Sequence, residues 1–136
     1  MFAAEIGAEK IPVLLVEDSR SEALLAQKQL HAIDDEFTVL RASRLEEALV
    51  CIIRNKVDVV LLDLGLPDSD GPQSVKILNE HFPDLPIVIL SGRNDPETIR
   101  KVFLFGAEEF VSKDECSGVR IRQALLGAII RKSLKK

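Results

Sequence analysis

Apolar residues in this chain fall into short unbroken runs, separated by longer stretches in which they recur every third or fourth position. Val13-Leu14-Leu15-Val16 is the first run, and from Ser19 to Ala32 the spacing turns helical through Ala23, Leu24, Gln27 and Leu30, with Ser19 and Glu22 in capping-box relation. A weaker strand is predicted around Phe37 to Leu40. A helix follows that opens at Ser43, with Glu46 completing a second capping box, and runs to about Asn55. The third run, Val57-Asp58-Val59-Val60-Leu61-Leu62, is rich in β-branched residues and suits a strand buried on both faces. The turn-rich segment Pro67-Asp68-Ser69-Asp70-Gly71-Pro72 leads into a helix ending near Phe82. Pro86-Ile87-Val88-Ile89-Leu90 is the fourth strand, Asp95-Pro96 caps and starts a helix that stops at Gly106, Glu109-Phe110-Val111 is a short fifth strand, and Ser117 opens a last helix to about Lys132.

Five short strands alternating with helices predict an α/β fold: a doubly wound, five-stranded parallel sheet with helices on both faces. With 136 residues the chain suits one core. Residues 1–10 read as a lead-in and 11–136 as the single domain, without repeats, low-complexity stretches or a linker.

Composition narrows the function. A net charge of -4 argues against a general nucleic-acid binder. Arg131, Lys132, Lys135 and Lys136 are expected to complement the dipole of the final helix. Cys51 and Cys116 are too few for a disulfide framework; Cys51 reads as core packing and Cys116 as a turn residue. His31 and His81, without neighbouring metal-ligand partners, read as surface helix residues. No signal-peptide pattern occurs and no segment approaches the roughly 18 apolar residues of a membrane span, so a soluble, cytoplasmic protein is expected.

In such sheets function gathers beyond the carboxyl ends of the strands. Glu17-Asp18 follow strand one, Asp63 strand three, Ser91 strand four and Lys113 strand five. Clustered carboxylates repel one another, and a hard cation such as Mg²⁺, held by one or two carboxylates with water and phosphate oxygens, relieves that repulsion. A carboxylate is also a nucleophile toward phosphorus, a serine can donate to a phosphoryl oxygen, and an ammonium can neutralise the transferred charge or pair with Asp63 in its absence. Asp68 and Asp70 read as turn and helix-capping residues, and Asp58 and Asp84 as surface or turn residues.

The set resembles the receiver domain of two-component response regulators over about residues 11 to 133. The resemblance rests on Glu17-Asp18, on Leu61-Leu62-Asp63-Leu64-Gly65-Leu66-Pro67-Asp68-Ser69-Asp70-Gly71, on Leu90-Ser91-Gly92, and on Gly106-Ala107-Glu108-Glu109-Phe110-Val111-Ser112-Lys113. It implies a flavodoxin-like receiver fold in which Asp63 accepts phosphate from a sensor histidine kinase or histidine phosphotransfer protein. It implies Mg²⁺ held by Asp18, Asp63, the main-chain carbonyl of Gly65, and Glu17 through water. Ser91 and Phe110 match the switch positions, and no chemistry beyond the domain's own phosphoryl acceptance and hydrolysis is implied. Phe110 stands where tyrosine is commoner and Asp114 where proline usually follows the lysine. Because a cis bond before a non-proline residue costs roughly 3 kcal/mol, a trans Lys113–Asp114 bond is predicted.

Val119, Ile121, Leu125, Leu126, Ile129, Ile130 and Leu134 make the last helix apolar over more than the stripe of about 100° that covering one sheet face requires. With Val102-Phe103-Leu104-Phe105 and Phe110 they suggest a face for a downstream protein or a homodimer. Among rivals, a flavin carrier would have its phosphate repelled by Glu17-Asp18, and an aspartyl phosphohydrolase would want an acid where Gly65 stands. A non-phosphorylated pseudo-receiver, or a receiver cut from a larger sensor kinase or cyclic-dinucleotide enzyme, is the alternative.

Overall fold

The computed structural model describes residues 10–32 and 36–135; the lead-in before Lys10 and the terminal Lys136 lie outside the described residues. In chain order the elements are β1 (Ile11–Val16), α1 (Arg20–His31), β2 (Phe37–Ala42), α2 (Leu45–Arg54), β3 (Val59–Leu62), α3 (Gln73–His81), β4 (Ile87–Ser91), α4 (Pro96–Leu104), β5 (Glu109–Ser112) and α5 (Gly118–Leu134). The strands form one sheet in the order β2-β1-β3-β4-β5, every neighbouring pair parallel, as the alternation of elements predicts. β2 and β4 each run past the predicted ends, and β3 begins two positions later than the apolar run, at Val59.

The period of two along a strand divides the core. Val13, Leu15, Val59, Leu61, Val88, Leu90 and Val111 face Ala23, Ala26 and Leu30 of α1 and Ile121, Ala124, Leu125 and Ala128 of α5. Leu14, Val16, Val60, Leu62, Ile87 and Ile89 face Leu45 and Ala48 of α2, Val75 and Leu78 of α3 and Val102 of α4. All of Val59, Val60, Leu61 and Leu62 are fully buried. At roughly 1.5–3 kcal/mol per buried aliphatic side chain, β3 is anchored firmly up to the residue before Asp63.

Several local expectations change. In α1 the buried stripe is Ala23-Ala26-Leu30, whereas Leu24 is exposed. The alanines face α5, and Leu24 lies one position off that stripe. Ser19 caps α1 by accepting from the Glu22 N–H at 3.3 Å. The reciprocal half of the box is absent, because the Ser19 N–H donates to Glu17 Oε2 at 3.2 Å and the Glu22 carboxylate turns to Lys113. The second capping box does not form either. Arg44 is the N-cap residue of α2 without a side-chain bond, and the carboxylate of Asp68 accepts from the N–H groups of Leu45 (2.8 Å) and Glu46 (3.0 Å).

α4 is bounded as predicted. Asp95 accepts from the Thr98 N–H at its start. At its end Gly106, with φ +117°, lets Ala107 N–H reach Val102 O (2.9 Å) and Gly106 N–H reach Phe103 O (3.2 Å). The C-terminal cations do more than meet a helix dipole. Lys135 Nζ lies 2.8 Å from Glu108 Oε2, and Arg131 and Lys132 lie within 4.0 Å of the same carboxylate. No helix among the described residues is long and apolar enough to cross a membrane.

Candidate functional site

β1 and β3 pair side by side, and the chain turns away from them in opposite directions, to β2 on one side and to β4 and β5 on the other. A crevice opens where the strand order reverses in this way. Val16 is in register with Leu62, so the residues following them emerge together. Both are held by main-chain bonds: Glu17 N–H donates to Ala42 O at 3.0 Å, and Asp63 N–H donates to Val16 O at 2.9 Å. Glu17 is buried, Asp63 half-buried and Asp18 exposed, and each offers a carboxylate oxygen within 4.8 Å of the others.

Lys113 reaches this cluster from the far edge of the sheet. It opens one 3₁₀ turn, Lys113–Glu115, capped by Ser112, whose Oγ accepts from the Asp114 N–H at 3.3 Å. No cis peptide bond occurs among the described residues, so Lys113–Asp114 is trans as predicted. The ammonium lies 2.6 Å from Glu22 Oε1, 2.8 Å from Glu17 Oε1 and 3.5 Å from Asp63 Oδ1. The expected pairing with Asp63 is therefore the longest of three, because Glu17 and Glu22 both stand closer.

The electrostatics follow from that geometry. Burial pushes the Glu17 carboxyl up to about 7; the Lys113 hydrogen bond pulls against the rise and the Asp63 charge adds to it. For Lys113 burial disfavours the charge, but hydrogen bonds to Glu17 and Glu22 and the field of Asp63 more than reverse this and leave the ammonium well above its ordinary range. Lys113 also draws the Glu22 carboxyl down, first through its hydrogen bond and then through its charge.

Ser91, the last residue of β4, is buried, and its Oγ accepts from the Arg93 N–H at 3.0 Å. Phe110 on β5 is half-buried against the α2–α3–α4 side of the core and lines a groove of about 280 Å³ with Asn94, Ile99 and Arg120. Gly65 puts no side chain beside Asp63, where a Cβ would stand 3.5 Å from Asp63 Oδ2, in van der Waals contact. The larger cavity of about 560 Å³, lined by Asp58, His81, Phe82 and Lys132 among others, lies at the opposite end of the strands.

Asp70 supports the turn into α3, its carbonyl accepting from Gln73 N–H. Cys51 packs against the core as expected, and the Cys116 thiol donates to Gln29 Oε1 at 3.1 Å, with burial raising its pKa. His31 and His81 are exposed.

With acids, lysine and serine at the ends of the strands, the comparison with known proteins is direct. The model of the response regulator receiver domain matches residues 13–125. The chain belongs to the response regulator receiver domain family. It is 32% identical over 122 residues to the regulatory protein LuxO of Vibrio cholerae, covering 90% of this chain and 26% of that protein. The chain spans roughly a quarter to a half of the length of the curated relatives it matches. The receiver domain protein of Methanospirillum hungatei, described as CheY-like, shares the fold at TM-score 0.80 and 16% identity, covering 94% of this chain and all of that one, 100%. The signal receiver domain of a modulated diguanylate cyclase from Desulfovibrio desulfuricans superposes at TM-score 0.79 with 25% identity, over 94% of this chain and 100% of that one.

Membership gives this receiver a phosphoacceptor role in two-component signalling and an acidic pocket of the kind in which receivers bind Mg²⁺. The donor set fits such an ion, since its side-chain ligands are all carboxylate oxygens. Other residues of the receiver's site escaped sequence reasoning. Arg41, at the end of β2, donates from Nη2 to Glu17 O (3.0 Å) and Asp18 O (3.2 Å) and from Nε to Glu17 O (3.2 Å), fastening the acid pair through its main chain. Glu22 read only as a capping residue, and Asp68 only as a turn or cap residue with no named helix. None of these contacts leaves a local pattern, because each joins residues at least 22 positions apart.

Proposed function

We propose that this domain is a Mg²⁺-dependent phosphoacceptor switch, with Asp63 taking the phosphoryl group from a phosphohistidine on a sensor kinase or phosphotransfer protein. The observation that carries the reading is the meeting of the Glu17, Asp18 and Asp63 carboxylates within 4.8 Å, with the Lys113 ammonium 3.5 Å from Asp63. A carboxylate oxygen of Asp63 forms the new O–P bond as the P–N bond of the donor breaks. The electron pair stays on the ring nitrogen, and the imidazole leaves neutral when its other nitrogen carries a proton. Asp18, Asp63 and the Gly65 carbonyl would hold Mg²⁺ directly, and Glu17 would hold it through water. The bound ion supplies charge neutralisation on the phosphoryl oxygens.

Lys113 is within reach of a phosphoryl oxygen on Asp63, and Ser91, one strand away, carries a hydroxyl that can donate to another. The inward draw on Ser91 would be read by Phe110, which lines the groove beside α4. Phe103 and Leu104 of α4 and Val119, Ile130 and Leu134 of α5 are exposed, which supports a downstream protein or a second copy as the reader. Turnover of outside phosphate esters is not part of the reading, since no acid stands two residues after Asp63.

The test is incubation with acetyl phosphate or phosphoramidate, with and without Mg²⁺, followed by intact mass for the wild type and Asp63→Asn. A gain of one phosphoryl group that needs Mg²⁺ and is lost in the variant is expected. No gain under any condition would leave a pseudo-receiver that acts by contact alone.

A further inference from the structure

Lys113 has one charge and three carboxylate neighbours, and the shortest of its contacts goes to Glu22, which lies outside the acidic cluster. Glu22 sits in the first turn of α1, its side chain half exposed, and its Oε1 stands 2.6 Å from Lys113 Nζ. The contact to Asp63 is 3.5 Å. We infer that Glu22 is a positioning residue that holds Lys113 back from Asp63, competing with the incoming phosphoryl group for the ammonium and so setting how readily this receiver is phosphorylated.

The inference rests on the proposed phosphoacceptor reading and adds to it a residue outside the acidic cluster. Glu22 is not needed for the α1 cap, because Ser19 accepts from its main-chain N–H, which any residue but proline supplies. Nor does it satisfy a buried group, since Glu17 holds Lys113 independently at 2.8 Å. What Glu22 alone does is share the ammonium's hydrogen-bonding capacity toward the solvent side of the site, beside Leu25, Gln29 and Cys116 in a cleft of about 220 Å³. An ammonium has three donors and no acceptor, and Glu17 and Glu22 occupy two of them, which leaves one for Asp63 or a phosphoryl oxygen. Because the pair is partly exposed, its release changes the balance modestly, by roughly two- to five-fold.

Glu22→Gln keeps the size of the side chain and removes its charge. At saturating Mg²⁺, phosphorylation of the variant by phosphoramidate should run roughly two- to five-fold faster than the wild type. Mg²⁺ titrations followed by NMR supply the second readout. A freed ammonium turned toward Glu17 and Asp63 opposes the ion, so Glu22→Gln should weaken Mg²⁺ binding by a similar factor. The same substitution in a Lys113→Ala background should leave Mg²⁺ binding unchanged from Lys113→Ala alone. An equal weakening in both backgrounds would mean that Glu22 acts as general surface charge and would overturn the inference. So would unchanged rates and unchanged Mg²⁺ binding in Glu22→Gln. A wild type that is never phosphorylated would instead sink the phosphoacceptor reading, while the Mg²⁺ titrations would still decide whether Glu22 controls Lys113.

Discussion

The Lys113 ammonium stands 2.8 Å from Oε1 of Glu17, a carboxylate that is almost wholly buried. Before any ion or phosphoryl group arrives, this contact places the positive charge in the acidic crevice, where it both relieves repulsion among the carboxylates and opposes a cation. Lys113→Met should therefore tighten Mg²⁺ binding, by roughly ten-fold, since it removes a like charge a few ångströms away. Phosphorylation of the variant should nevertheless fall by roughly 10²-fold, because charge stabilisation at the transferred group is lost. Mg²⁺ titration and mass-detected phosphorylation on one preparation separate the two effects.

Arg41 fastens the main chain of Glu17 and Asp18 through three hydrogen bonds from outside the cluster. Groups that orient metal ligands in this way typically govern affinity by 10–100-fold. Arg41→Ala should weaken Mg²⁺ binding by at least about ten-fold while leaving the far-ultraviolet circular dichroism of the fold unchanged. Unaltered affinity would show that the acid pair holds its place without the guanidinium.

Asp68 ties the loop after Asp63 to the start of α2 by two hydrogen bonds to main-chain N–H groups. Desolvation where the exposed carboxylate meets the helix start pushes its carboxyl upward, but the N–H groups of Glu46 and Leu45 outweigh this, and the net shift is below the ordinary value of 3.8. A carboxyl depressed in the fold contributes stability above its unfolded pKa and loses it as pH falls through the folded value. Asp68→Ala should cost about 1 kcal/mol in urea unfolding at neutral pH, as a lost helix cap does. The deficit relative to wild type should begin to shrink below about pH 3.8, where Asp68 of the unfolded chain takes up a proton, and close only below the lower folded value. A constant deficit across that range would show that the loss is one of packing.

Gly106 ends α4 at φ +117°, and a Cβ on it would stand 2.6 Å from Asn79 Cγ. Gly106→Ala should cost more than about 1 kcal/mol in the same urea unfolding measurement. The additional change Asn79→Ala should recover the part due to the clash and leave the part due to the backbone.

Much of this molecule was legible along the chain. The unbroken apolar runs at 13–16, 59–62 and 87–90 can be buried on both sides only in a sheet covered by helices, so the parallel α/β architecture followed from their alternation with helical spacing. The placing of Asp18, Asp63, Ser91 and Lys113 at strand ends also followed, although Ser91 is the last residue of β4 rather than the first beyond it, because residues that end parallel strands share one edge of a sheet. Local capping was partly legible: Ser19, Asp95 and Ser117 each bond the N–H three residues ahead, a distance the chain itself sets.

Which charge meets which was decided only by the tertiary structure. Ser43 and Glu46 were expected to cap α2 together, yet Asp68, more than 20 residues later, accepts from the Leu45 and Glu46 N–H groups, and Glu47 accepts from the Ser43 N–H. Lys113 was expected opposite Asp63, yet it lies nearer to Glu17 and Glu22, 96 and 91 positions away. Leu24 was expected inside and is exposed, because the narrow alanine stripe beside it faces α5. The difference has one physical cause. Hydrophobic periodicity and capping act over a turn or two of chain, so the sequence alone determined elements, sheet and the acidic edge. Long polar side chains can choose among several partners of nearly equal energy, and only the packed positions of distant strands and helices settle the choice.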